Sequence, residues 1–174
     1  KGAILSSTFV TTVSPTYAEQ LRTAFYAHGL DGVIQQQSDK CQGIINGIDV
    51  DLYNSETMAG IAANFSTETI AEGKAKCKAD LQEALGLDVK PDVPMIACVS
   101  RLVGHKGFGM VVDALPRIME MDVQMVVLGS GEWVYENYFR EVQEQYPEKF
   151  CYCAGFVPEL ARKIYASADI FLMP

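Results

Sequence analysis

The sequence has no apolar run near the roughly 20 residues that a membrane-spanning helix requires, and its first residues, "KGAILSSTFV", lack the layout of a signal peptide. It has no excess of basic charge: 14 Lys and Arg stand against 22 Asp and Glu, a net charge of -8 over 174 residues. That balance argues against broad binding to nucleic acid or anionic membranes, both of which call for basic surface. No G-x-x-x-x-G-K-[ST] segment occurs, which excludes a P-loop. With only two histidines, neither in a suggestive setting, no Ser-His-Asp constellation emerges, and the acidic residues form no compelling carboxylate pair. The five cysteines are an odd number in mostly apolar contexts and read as reduced thiols rather than a disulfide framework. Cys151 and Cys153 form a C-x-C on an expected strand, with no second Cys or His pair nearby to complete a zinc set, and read as packing. These features lead us to expect a soluble, intracellular protein that meets anionic ligands through local clusters of cations.

What is present is a regular pattern of elements. "STFVTTVSP" alternates and is rich in β-branched residues, predicting a strand, and Pro15 opens a helix over "PTYAEQLRTAFYA". The next stretch, from His28 to Thr57, carries Asp31-Gly32 and Asn46-Gly47 turn signals and is the best candidate for a linker or lobe boundary. A helix is expected from about Thr67 to Leu85, with Gly86 as its stop and Pro91 beyond. From Pro94 onward, the apolar runs "PMIACVS", "VQMVVLGSG", "FCYCAGF" and "DIFLMP" alternate with helical segments. That order predicts right-handed βαβ crossovers and a Rossmann-like parallel sheet with helices on both faces, an α/β fold. The absence of an initial Met and the apolar strand at the other end give the expectation of an internal piece of a longer chain.

Ligands of such sheets bind outside the carboxyl ends of the strands, so the loops there are the places to look. In "SRLVGHKG", Arg101 offers a fork for a phosphate oxygen pair and Lys106 a point charge, beside the free N–H groups of a helix start. Together they suit a diphosphate; the alternative is two solvated loop cations. His105 between them reads as a solvent-facing loop residue. In "VLGSGE", Gly129, Ser130 and Gly131 are equally compatible with a ligand loop and a tight turn, since the third glycine of the dinucleotide fingerprint is missing. In "AGFVPE", Phe156 follows a strand and suits either a ring laid against a base or a core position.

Taken in order, "KGAILSSTFVTTVSPTYAEQL", "GLDGVI", "GIINGIDVDLYN", "CVSRLVGHKG", "VVLGSGE" and "KIYASADIFLMP" closely resemble bacterial glycogen synthases and plant starch synthases. The resemblance covers essentially the whole chain. It implies the two-lobe GT-B architecture of retaining glycosyltransferases, with residues 1 to about 40 ending the N-terminal acceptor-side lobe and crossover. Residues 41 to 174 would then be the first part of the C-terminal nucleotide-sugar-binding lobe. The implied reaction transfers glucose from ADP-glucose, or UDP-glucose in some members, to the non-reducing end of an α-1,4-glucan, with no cofactor and no metal. Arg101 and Lys106 match the family's cationic pair on the donor diphosphate and would act in catalysis on the departing nucleotide. Gly129, Ser130 and Gly131 match the loop beneath the nucleotide, Phe156 the aromatic beside the adenine, and Asn46 of "NGID" a polar residue on the sugar and acceptor side. The location implied is the bacterial cytoplasm, with plastid stroma as the alternative.

Departures from the family pattern are local. Val157 and Pro158 follow Phe156 where an acidic residue or histidine is common; Tyr53 replaces a tryptophan and Ser55 a proline. The "SRFEPCGL" segment, whose glutamate lies at the reacting sugar, is not within these residues, nor are the glycine-rich loop, aspartate and histidine of the first lobe. The 174 residues alone are therefore expected to be inactive. Two other readings remain at this point: a non-catalytic nucleotide-sugar or glucan-binding module, and a related retaining transferase with another acceptor.

Overall fold

The computed structural model describes residues 1–174 and divides into two compact units, Lys1–Asp49 and Val50–Pro174. In the first unit, α1 (Gly2–Ser6), β1 (Val10–Thr12), α2 (Pro15–Gln20), α3 (Ala24–Ala27) and α4 (Asp31–Gln36) lead through a 3-10 turn at Ser38–Lys40 to β2 (Cys41–Gly43). β1 and β2 pair in parallel, Val10 opposite Cys41 and Thr12 opposite Gly43. The Ser14 hydroxyl accepts the Tyr17 N–H at 3.2 Å and caps α2, with Pro15 in the first turn as the sequence predicts. Gly43 is required by close approach, because a Cβ there would overlap the Ser14 backbone. The stretch expected to be irregular thus holds two short helices and a strand. Neither turn signal forms a turn: Asp31-Gly32 opens α4, and Asn46-Gly47 lies in the stretch without regular structure that follows β2.

The second unit runs α5 (Ile70–Leu85), β3 (Met95–Val99), α6 (Phe108–Glu120), β4 (Gln124–Gly129), α7 (Trp133–Gln145), β5 (Phe150–Ala154), α8 (Pro158–Ser167) and β6 (Ile170–Phe171). The four strands form an all-parallel sheet in the order β5-β4-β3-β6, the α/β arrangement that the alternating runs predict. All six residues of β4 are buried, and they alternate between two cores. Met125 and Val127 face Phe108, Leu115, Phe139 and Phe150 on the side of α6 and α7. Val126 and Leu128 face Leu81, Cys151 and Ile164 on the side of α5 and α8. The Phe139 ring packs on those of Phe108, Phe150 and Tyr152 at centroid distances of 5.8 to 6.1 Å.

Three local features show how the sequence settles this unit. α5 begins at Ile70, three residues later than its pattern suggests, because Thr69 turns its hydroxyl to the Ser66 N–H at 3.0 Å; it ends at Gly86 in the left-handed region, as expected. Pro116 lies inside α6 without ending it. The Val112 carbonyl, left without its helical donor because Pro116 has no N–H, instead accepts the Tyr138 hydroxyl at 3.3 Å. Asp169 accepts the Met95 N–H and the Lys78 ammonium, both at 2.7 Å, while Lys78 also reaches the Pro91 carbonyl at 3.0 Å. The aspartate of "ADIFLMP" is thereby an anchor that sets β6 beside β3.

Candidate functional site

The loops after β3, β4 and β5 come together at the carboxyl ends of their strands and are bonded to each other through the backbone. Ser100 N–H donates to the Leu128 carbonyl at 3.1 Å, Leu102 to Ser130 at 3.0 Å, Glu132 to Leu102 at 2.7 Å and Gly155 to Gly129 at 3.1 Å. The Tyr152 hydroxyl, buried, also donates to the Gly129 carbonyl at 3.1 Å. Two carboxylates pin the loops from α7: Glu132 accepts the Gly104 N–H and Glu136 the Gly131 N–H, each at 2.9 Å. The Gly131 N–H and, after it, the Arg140 guanidinium hold the Glu136 carboxyl below the usual carboxylate range.

This bonding answers the question raised by the glycines. A Cβ at Gly129 would overlap the Ser100 carbonyl oxygen, and one at Gly131 the Leu102 carbonyl oxygen. Both glycines are therefore fixed by the contact of the β4 loop with the β3 loop, whatever ligand that surface takes.

Beside the loops lies a cavity of about 270 Å³. Ser100 and Arg101 line it from the β3 loop, Gly129 and Ser130 from the β4 loop, and Gly155, Phe156 and Val157 from the β5 loop. Pro158, Ala161 and Tyr165 line it from one face of α8, and Tyr53 completes the wall. Phe156 is 92% exposed, so the core reading of this aromatic is wrong; Gly155, at φ 113°, turns the chain so that the ring stands in the open. Arg101 is exposed. Arg101, Gly129, Ser130 and Phe156, expected from sequence, thus meet at one cavity.

Lys106 and Gly131 do not line it. Lys106 is exposed in the 3-10 turn Gly104–Lys106, directly before Gly107, whose left-handed backbone starts α6 without a side-chain cap. Asn46 is exposed in the first unit. Among the lining residues that sequence reasoning missed, Pro158, Ala161 and Tyr165 stand three and seven residues apart, the spacing of one helix face, and that spacing could have revealed them. Tyr53 lay in view only as a departure from a family tryptophan.

The comparisons with known proteins agree with this layout. The family described as glycosyl transferases group 1 matches residues 93–174, and the starch synthase catalytic domain family matches residues 1–36. The parallel sheet with its loop-borne cavity and these two matches define the class: the α/β fold of GT-B glycosyl transferases. Over all 174 residues the chain is 47% identical to a glycogen synthase of Streptococcus mutans and 45% to one of Clostridium perfringens. The catalytic domain of starch synthase IV from Arabidopsis thaliana, solved with ADP and acarbose, superposes with a TM-score of 0.91 over 99% of the chain at 34% identity. Anabaena HepE, solved with UDP and glucose, shares the fold at 17% identity and a TM-score of 0.56. The chain belongs to the glycogen and starch synthase family. It spans 36% of the length of these curated relatives and 36% of the starch synthase chain.

Proposed function

We propose that the whole protein transfers glucose from ADP-glucose to the non-reducing end of an α-1,4-glucan, with retention at the anomeric carbon. The observation that carries this reading is the meeting of Arg101 and Phe156 at one cavity, a guanidinium and an open aromatic ring on loops cross-bonded through Gly129 and Ser130. The cavity suits a nucleotide, with the ring against the base and the guanidinium on the diphosphate. In support, a relative of the same fold at 34% identity has been solved with ADP. UDP-glucose is the alternative donor.

In this reading Arg101 binds two oxygens of the diphosphate and Lys106 adds a second positive charge as the bond to glucose breaks and charge gathers on the departing nucleotide. Gly129, Ser130 and Gly131 form the floor under the nucleotide, and Asn46 serves the sugar and acceptor side. In this reading the nucleotide-sugar site belongs to a C-terminal lobe that takes in residues 41–174, and the acceptor-side lobe and crossover end near residue 40. The partners are a nucleotide-sugar and a glucan, and the bacterial cytoplasm is the proposed location; no helix is long and apolar enough to cross a membrane. The 174 residues on their own are proposed to be inactive, because the carboxylate at the reacting sugar and the first-lobe groups lie outside them.

The test is transfer of labelled glucose to glycogen by the whole protein. Arg101→Ala should lower kcat by about 100-fold or more, the range seen when one donor to a developing charge is removed, and Lys106→Ala should lower it also. If both single variants keep near-normal turnover, the pair is ordinary surface charge and the reading fails.

A further inference from the structure

The proposed transfer makes no use of Cys151 and Cys153, two thiols that lie in contact in the second unit. They project from one face of β5, and their sulfurs lie 3.7 Å apart. Cys151 is buried and Cys153 half-buried, so a reagent reaches Cys153 first. β5 is an edge strand, paired only with β4, and can give locally more easily than a central strand.

The spacing selects the chemistry. A single centre bonded to two sulfurs at about 2.3 Å spans roughly 3.3 to 3.8 Å between them, for angles at the centre from a right angle to the tetrahedral one, close to what β5 already presents. A disulfide instead needs sulfurs about 2.05 Å apart and Cβ atoms about 3.5 to 4.5 Å apart, whereas alternate residues of a strand stand roughly 6.6 Å apart along it. One bridging atom therefore fits with little backbone movement, and direct oxidation does not. A closed zinc site is disfavoured too, since no group of three or more Cys, His, Asp and Glu is placed to hold a metal ion. What remains is a centre that makes two sulfur bonds.

We propose that Cys151 and Cys153 form a dithiol site for thiophilic centres that bond two sulfurs at once, the class represented by trivalent organoarsenicals. With an arsine oxide the step balances without an oxidant. Two arsenic–sulfur bonds form, the arsenic–oxygen bond breaks, and the oxygen leaves as water with both thiol protons while arsenic stays trivalent. The hydrogen bond shared with Cys151 holds the Cys153 thiol below its ordinary value, favouring it as the first to bond, whereas that same contact together with burial pushes Cys151 up. Cys151 then closes the ring.

The site has a consequence for its neighbourhood. Cys153 packs in the cluster with Leu128 and Ala161, which line the cavity described above, and Gly155 and Phe156 follow it in the chain. An adduct here should weaken nucleotide binding. That second effect rests on the proposed nucleotide site; formation of the adduct does not.

The test is native mass spectrometry of the chain with phenylarsine oxide in excess 2-mercaptoethanol, which strips arsenic from single thiols. One adduct per chain is expected, retained in Cys41→Ser, reversed by 2,3-dimercaptopropanol, and lost in Cys151→Ser and in Cys153→Ser at unchanged melting temperature. Should either variant fail to fold, the wild-type thiol count settles the matter: it should fall by two for each arsenic bound. No adduct, an adduct that survives either substitution, or a loss of fewer than two thiols would overturn the proposal. An adduct that forms normally but leaves ADP binding unchanged would count against the nucleotide site or its coupling, not against the dithiol.

Discussion

The two units bury their residues very differently. The second carries two apolar layers, one on each face of a four-stranded sheet, with Phe108, Leu115, Met125, Phe139, Phe150 and Ile164 fully buried. The first has a two-stranded sheet and short helices, buries only Ala18, Ala27 and Ile34, and leaves Phe9, Phe25, Ile45 and Ile48 exposed. Hydrophobic stabilisation scales with apolar area removed from water, so the second unit holds nearly all of what these residues can generate by themselves. The first unit also holds a cavity of about 270 Å³, but only the unit that owns a core sets its cavity on loops cross-bonded to one another, and such loops need a rigid base.

The largest test of this contrast is Phe139→Ala. It removes a ring packed among three others and should lower the stability of the second unit by about 3 to 5 kcal/mol, read from urea unfolding. Ile34→Ala in the first unit should cost less, since fewer buried groups surround it; equal losses would break the comparison. Next in size, Asp169→Asn leaves the Lys78 ammonium, 6% exposed, without its counter-charge. Because the Asp169 side chain is 40% exposed and water screens the pair, the loss should be about 1 to 3 kcal/mol.

Backbone amides give a finer reading. Those of β3 and β4 should exchange hydrogen most slowly and those of β1 and β2 far faster, because exchange follows local opening. Comparable protection in the two sheets would contradict the contrast. Within the second unit, Gly155→Ala meets open space and pays only for its left-handed backbone, about 1 kcal/mol. Gly129→Ala forces the β4 loop off the β3 loop and should cost more.

The smallest effect concerns pH. Glu136 holds its proton less tightly in the fold than in the unfolded chain, so its contribution is present above the ordinary carboxylate value and lost as pH falls through the lower folded value. Glu136→Gln should therefore be less stable than wild type at neutral pH, and the difference should vanish in acid. A difference that persists at low pH would mean that Glu136 acts through packing instead.

The sheet was legible in the sequence because its strands are buried on both faces and read as apolar runs, and because Gly86 and the segments between the runs punctuate them. The first unit was harder: strands of three residues such as Val10–Thr12 and Cys41–Gly43 leave too little pattern for a period to show. At the site, Arg101 and Phe156 were found from their place after strands. The role of Gly129 and Gly131 was not, since only the approach of Ser100 and Leu102 reveals why a side chain is excluded there. Tyr165 escaped because it sits in a helix body and reaches the cavity only through the turn of α8. The sulfur contact of Cys151 and Cys153 needed side-chain positions that burial alone does not give.

The central claim is that the cavity at the ends of β3, β4 and β5 holds a nucleoside diphosphate on Arg101 and Phe156. Calorimetric titration of the chain with ADP, repeated with Arg101→Ala and Phe156→Ala, tests it most directly. Saturable binding at one site is expected, weakening by about tenfold or more in each variant, a fall of about 1.4 kcal/mol. Binding of ADP that is the same in wild type and both variants, or no binding to the wild type, would contradict it.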